Sequence, residues 1–199
     1  MADIIYTYRG GVYVNITNKC PCSCVFCIRA NGKGLGSADT LWHTKDPDID
    51  EIIAAIKAFD FAPYDELVFC GYGEPFCAFD NLVKACKFVK ENYNLKIRIN
   101  TNGLGDLING FPTVQKIAPY VDYISISLNA PNAEKYCEVT RPVFKEKAFE
   151  AMIDFAKQCK ECVPKVVFTV VDVIHKEDIE QCQKLCDSLG IPLRVRAYD

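Results

Sequence analysis

Two hydrophobic periods alternate along the chain. Short runs rich in Val, Ile, Tyr and Phe occur at Val12 to Ile16, Leu67 to Cys70, Ile97 to Thr101, Tyr123 to Leu128, Val166 to Val173 and Leu193 to Ala197, and each reads as a β-strand. Between them the spacing turns helical. Ile52, Ile53, Ile56 and Phe59 form one stripe, and Leu82, Val83, Cys86 and Val89 form a second behind an expected Asp80 cap. Phe149, Met152, Ile153 and Ala156 form the next, followed by Ile179, Cys182, Leu185, Cys186 and Leu189, stopped by Gly190 and Pro192. The connection from Asp106 to Pro119 has a weaker pattern, with Pro112 placed to open a short helix.

Six strands alternating with about five helices predict right-handed βαβ units and a parallel sheet, because parallel neighbours need long crossovers. The 199 residues fall short of the roughly 250 of a complete eight-stranded barrel. The expected fold is α/β, a partial (β/α)6 TIM-like barrel forming a single domain over residues 1–199 without an auxiliary cluster domain; an open doubly wound sheet is the alternative. Within the strands, period two separates Ile97 and Ile99 from Arg98 and Asn100, and Ile124, Ile126 and Leu128 from Ser125, Ser127 and Asn129. It also sets Leu193, Val195 and Ala197 opposite Arg194, Arg196 and Tyr198. The apolar sets are expected under the helices and the polar sets in the lumen. Arg98, Arg194 and Arg196 would then need anions, since burying unpaired charge is costly, and a carboxylate- or phosphate-bearing substrate is expected. The alternative is an open edge strand whose arginines face water.

Composition narrows the class. Half of the residues are apolar and a quarter charged, enough for a substantial core. No segment approaches the roughly 18 apolar residues of a membrane span and no signal-peptide pattern opens the chain, so a cytoplasmic location is expected. A formal net charge of −3 gives no general attraction to nucleic acid or anionic membrane. Twelve cysteines in such a chain point to reduced thiols and metal ligation.

The decisive cysteines follow the first strand directly, in Thr17-Asn18-Lys19-Cys20-Pro21-Cys22-Ser23-Cys24-Val25-Phe26-Cys27. Cys20, Cys24 and Cys27 have C-x3-C-x2-C spacing. A [4Fe-4S] cluster normally takes four cysteines, so three leave one iron open to a substrate or cofactor. A zinc knot on Cys20, Cys22, Cys24 and Cys27 is the competing arrangement, but zinc usually draws on two separated ligand pairs. After the second strand, Cys70-Gly71-Tyr72-Gly73-Glu74-Pro75 provides two glycines for close backbone approach and a Glu74 held extended by Pro75. The third and fourth strands end in Asn100-Thr101-Asn102-Gly103 and Ser125-Ile126-Ser127-Leu128-Asn129. These polar groups all fall at carboxyl ends of strands, where parallel α/β folds build active sites.

The cysteine spacing with Phe26 resembles the radical S-adenosylmethionine (SAM) superfamily, whose motif is C-x3-C-x-aromatic-C; Cys22 is an extra within it. The resemblance implies that Cys20, Cys24 and Cys27 hold the cluster and that Phe26 shields it. It also implies that Gly71, Tyr72, Gly73, Glu74 and Pro75, which differ by Tyr72 from the family's Gly-Gly-Glu-Pro, receive the SAM amino group. By the same resemblance Asn100, Asn102, Ser127 and Asn129 belong to the SAM site, the last two as ribose ligands. Arg141 would meet the SAM carboxylate, with a solvated surface arginine as the alternative.

The pattern from Tyr13 through the cysteine loop to Arg29, then Leu41-Trp42 and Phe69-Cys70 with the Gly71–Pro75 turn, further resembles the small TatD-associated radical SAM proteins, which implies a functional link to a TatD-type hydrolase. The superfamily resemblance implies an oxidoreductase-type enzyme. It cleaves SAM reductively to a 5′-deoxyadenosyl radical for hydrogen abstraction, fed by an electron donor such as flavodoxin or ferredoxin. An activase of glycyl-radical enzymes and a small-heterocycle synthase also suit the size, and an iron-sulfur electron-transfer or sensor protein without SAM chemistry is the rival from another class. Cys86, Cys182 and Cys186 fall on apolar helix faces and read as buried hydrophobes. Cys70, Cys77, Cys137, Cys159 and Cys162 receive no role. The glycine-rich insertion from Asn31 to His43 lacks Walker spacing and is expected to cover the site, with Trp42 and His43 as packing residues.

Overall fold

A computed structural model describes residues 3–31 and 34–198. Its sheet has seven strands in sequence order: β1 (Ile5–Tyr8), β2 (Gly11–Val14), β3 (Glu66–Phe69), β4 (Lys96–Thr101), β5 (Tyr123–Ser127), β6 (Lys165–Val171) and β7 (Leu193–Arg196). The six strands expected from the sequence are β2 to β7, all parallel. The addition is β1, antiparallel to β2 in a hairpin that pairs Tyr8 with Gly11. Its two-residue turn, Arg9-Gly10, has φ of +47° and +75°. A turn with both central residues left-handed matches the twist of the flanking strands.

The long helices match the periodic stripes: α1 (Ile49–Ala58), α2 (Phe79–Asn92), α6 (Lys147–Cys162) and α7 (Lys176–Leu189). Asp48 and Glu51 form a capping box at the start of α1, and Gly190 closes α7 in the left-handed conformation. The Asp80 cap does not form: Ala78 occupies the cap position and Asp80 lies in the first turn of α2. Before β5 the chain forms two short helices, α3 (Gly105–Asn109) and α4 (Val114–Ile117). Pro112 opens neither. Asp106 accepts from the Thr113 amide at 2.8 Å and its hydroxyl at 2.7 Å, which ties the two turns together. An unexpected helix, α5 (Ala133–Thr140), follows β5 under an Asn132 cap.

The period-two division holds in the centre of the sheet. Ile97, Ile99, Ile124 and Ile126 are fully buried in the main core with Leu82, Met152 and Phe155, while Ser125 and Asn129 are buried on the polar side. It weakens at β7, which has a strand on one side only. Val195, expected under the helices, is 49% exposed, and Arg194 and Arg196 are exposed as well. Tyr8 and Tyr13 of the hairpin line the same cavity as Val171 and Arg196 from the opposite side of the sheet, so the sheet curls. No pairing joins β1 to β7 among the described residues. The fold is a partial TIM-like barrel with a lateral opening between its edges. No described helix is long and apolar enough to cross a membrane.

Candidate functional site

Beyond β2 the chain is pinned on both flanks. On one side Asn15 donates to Leu41 O at 2.7 Å, Thr17 to Asp46 at 2.7 Å, and the Asn18 amide to the other Asp46 oxygen at 2.9 Å. His43 binds the carbonyl of Asn15 at 3.0 Å. On the other side the amides of Ser23 and Val25 donate to Thr140 O and Val139 O, and Val143 N donates to Pro21 O. These bonds hold the loop on both flanks, and its thiols border a common space. Cys20, Cys24, Cys27 and Phe26 line one cavity of about 260 Å³.

Cys22 also reaches this cavity and is buried among the ligand candidates. Its thiol hydrogen-bonds to Cys20 and Cys24, which lowers the Cys20 and Cys24 thiols from their ordinary values and raises Cys22. Arg29 donates to Cys22 O at 2.9 Å and favours the same thiolates. Cys27 is raised by burial. Among the described residues no group of three or more Cys, His, Asp or Glu side chains converges at single-ion spacing; the three thiols instead border a common cavity. A donor set of three thiols around such a space fits a cluster with one open iron.

The second loop is locked against the first. A Cβ on Gly73 would stand 2.1 Å from Thr17 O, and one on Gly71 would stand 2.0 Å from Asn15 Oδ1, so neither position tolerates a side chain. The glycines thus admit the cysteine loop itself, with Glu74 N donating to Lys19 O at 2.8 Å. Glu74 is buried and accepts from Thr101 Oγ1 at 2.8 Å, Asn102 N at 2.7 Å and Phe76 N at 3.1 Å. Burial, followed by the Cys20 charge, pushes its carboxyl up to about 8 despite those three bonds. This carboxylate joins the ends of β3 and β4.

Gly71, Gly73, Glu74, Asn100, Asn102, Ser127 and Asn129 border the cavity with the cysteines, as does Arg196. Arg98 and Arg194 border an adjoining cavity of about 300 Å³. Tyr72 is not among the bordering residues: it is buried in a small second core with Tyr6, Ala38 and Leu41, edge-on to Trp42 with centroids 5.2 Å apart. Pro75 is buried at the start of a 3₁₀ turn capped by Glu74. Arg141 is exposed at the end of α5 with φ +45° and does not border the cavity. Trp42 and His43 pack as expected, whereas Gly32 and Lys33 of the insertion lie outside the described residues. Cys70 joins the cavity. Cys159 is buried and Cys162 exposed, so that pair does not share an environment, and Cys77 and Cys137 are half-buried.

Sequence reasoning missed Tyr6, Tyr8 and Tyr13, which wall the cavity from the hairpin. Their signal was the two-residue step from Tyr6 to Tyr8, which puts both on one face of a strand. It also missed Tyr136 and Thr140 of α5, which close the cavity beside the cysteine loop.

The model of the radical SAM superfamily matches residues 14–189. The chain belongs to the radical SAM superfamily. Members of this superfamily use a [4Fe-4S] cluster and SAM, and three cysteines around one cavity beside Gly71–Glu74 are what this chain offers them. Among curated relatives, molybdenum cofactor biosynthesis protein 1 of Dictyostelium discoideum is 28% identical over 93% of this chain and 28% of its own length. A probable dual-specificity RNA methyltransferase RlmN of Koribacter versatilis is 30% identical over 75% of this chain and 42% of its own length. The chain thus spans less than half of these relatives. Among solved structures, a radical SAM methyltransferase from Sphaerobacter thermophilus superposes with a TM-score of 0.68 at 18% identity, covering 97% of this chain and 68% of that one. SuiB of Streptococcus suis, bound to its precursor peptide SuiA, gives 0.72 at 21% identity, covering 98% of this chain and 40% of the other. At those identities the likeness is one of radical SAM fold.

Proposed function

We propose that the chain is a catalytic radical SAM enzyme that abstracts hydrogen from a substrate in the lumen, with Cys20, Cys24 and Cys27 as the cluster ligands. The observation that carries this reading is the shared cavity: three thiols from one loop face the Gly71–Glu74 turn and the polar ends of β4 and β5. Cys20, Cys24 and Cys27 would hold the cluster, which when bound and reduced would supply the electron for reductive cleavage of SAM.

The protein's own part is binding, orientation and exclusion of water. Glu74 holds the ends of β3 and β4 together, and its carboxylate also faces the cavity, where it offers an acceptor to the SAM ammonium. Ser127 and Asn129 offer short polar groups for the ribose, and Phe26 covers the cluster edge. Tyr6, Tyr8 and Tyr136 exclude water from the cavity walls. The reaction is an oxidoreductase-type radical process in the cytoplasm, with electrons from a flavodoxin or ferredoxin. The likeness of the cysteine-loop sequence to TatD-associated proteins favours a functional link to a TatD-type hydrolase.

The test is anaerobic reconstitution with iron and sulfide, reduction in the presence of SAM, and assay of 5′-deoxyadenosine. Wild type is expected to release it and a Cys24→Ala variant to give only background. Equal yields from both would refute the assignment.

A further inference from the structure

At the lateral opening of the curled sheet lies a cavity of about 300 Å³ bordered by the hairpin, by Arg98 and Asn100 of β4, and by Arg194 and Arg196 of β7. Strand β4 sits in the middle of the sheet and β7 at its edge, so these cations are brought together only by the curl. Their protein counter-charge is small. Glu66 pairs with Arg98 at 3.3 Å, and neither Arg194 nor Arg196 makes an ion pair with a described residue. The Arg98 side chain is only 14% exposed, and its buried Nε has no hydrogen-bond partner. A buried guanidinium donor left unmatched is costly unless a ligand takes it. The guanidiniums also act on common neighbours: Arg98 and Arg194 on the Tyr13 phenol, Arg98 and Arg196 on the Cys70 thiol.

This space adjoins the thiol-lined one, and Tyr8, Tyr13, Asn100, Arg196 and Ala197 border both. At the junction Asn100 Oδ1 is buried with no donor. A ligand that fills the junction would satisfy it with a hydroxyl or amine hydrogen.

We infer that Arg98, Arg194 and Arg196 form an oxyanion subsite for a small substrate ending in a phosphate or carboxylate and carrying a hydroxyl or amine one group further in. The oxyanion stays at the lateral opening while the reacting carbon lies in the cavity with the cysteines. Planar guanidiniums pair with such oxyanions through two parallel N–H bonds, which fixes orientation as well as affinity. That the oxyanion belongs to a substrate rests on the radical reading above; the subsite itself does not.

The experiment titrates reconstituted protein, saturated with SAM so that the SAM carboxylate is already placed, with inorganic phosphate and separately with citrate, by calorimetry at low ionic strength. Wild type should bind one of them saturably at one site, and the tighter anion identifies the terminal group. The Arg194→Gln/Arg196→Gln double variant should lose about tenfold or more in affinity, because charge-assisted bonds vanish. Both positions are exposed, so its unfolding midpoint should match wild type; Arg98→Gln should weaken binding as well. Absence of saturable binding in wild type, unchanged affinity in the double variant, or tighter binding of an RNA oligonucleotide than of either small anion would overturn the inference. The 5′-deoxyadenosine yield, measured on the same samples without added anion, reports separately on the radical reading. Loss of that yield with intact anion binding would sink the reading and leave the subsite standing.

Discussion

Strands β2 and β7 end in opposite ways. β2 has a strand on each side, its Val12 and Val14 are fully buried, and the chain beyond it is held by hydrogen bonds to residues 41–46 and 139–143. β7 has a neighbour on one side, and Arg194, Val195 and Arg196 are exposed. In the proposed enzyme, atoms that must keep fixed positions for cluster chemistry come from the first kind of strand end. The arginines proposed to meet an anion come from the second, apart from Arg98 of β4. Enclosure secures geometry, and an edge secures access.

Four measurements break or sharpen that contrast. The largest effect is expected from Cys24→Ala, which removes a proposed cluster ligand from the enclosed end: bound iron should fall and 5′-deoxyadenosine should drop to background, while far-ultraviolet circular dichroism should keep its αβ signature. Next comes Gly73→Ala, whose new Cβ meets the backbone of Thr17 and therefore forces the two loops apart. Overpacking of this kind costs about 3 kcal/mol, readable in urea unfolding. Gly110→Ala, at a left-handed turn with nothing within 4 Å, should cost only about 1 kcal/mol. If the two glycines behave alike, enclosure is not what distinguishes the site.

The third concerns Glu74, whose folded value of about 8 stands above its ordinary 4.5. Between those values the native chain retains a proton that the unfolded chain has released, so the cluster-free protein should lose stability as pH rises through that window. Glu74→Gln should remove that slope while losing the carboxylate contact to Asn102 N. An unchanged pH profile of the unfolding midpoint would contradict the assignment of the slope to this carboxyl. The smallest effect belongs to Arg141→Gln. Because Arg141 is exposed at the end of α5, SAM affinity should stay within twofold of wild type by equilibrium dialysis.

The parallel strands were legible because each is a short β-type run separated by a helical stripe, and because β-type and helical periods conflict locally. The cysteine loop was legible because all its chemistry lies within eight consecutive residues. Strand β1 was not, although Ile5 to Tyr8 has β character: its partner is joined through a turn that depends on Arg9 adopting positive φ, which residue type does not advertise. At Tyr72 it is the side chain's direction that was not legible. Its neighbours Gly71 and Gly73 suggested a cofactor loop, yet one residue of displacement along an extended chain turns a side chain to the other face, and there Tyr72 fills a small core. The glycines were rightly singled out, but what approaches them is Asn15 and the Thr17 carbonyl.

Local sequence by itself determined the period of each element, the set of three thiols and the order in which polar strand ends follow one another, since these depend on contacts within a few residues. The curl of the sheet, and with it the meeting of Arg98 with Arg194 and Arg196, was decided only in three dimensions. Strand twist accumulated over seven strands brings the ends of the sheet around a common cavity, and no local pattern records a sum taken over the whole sheet.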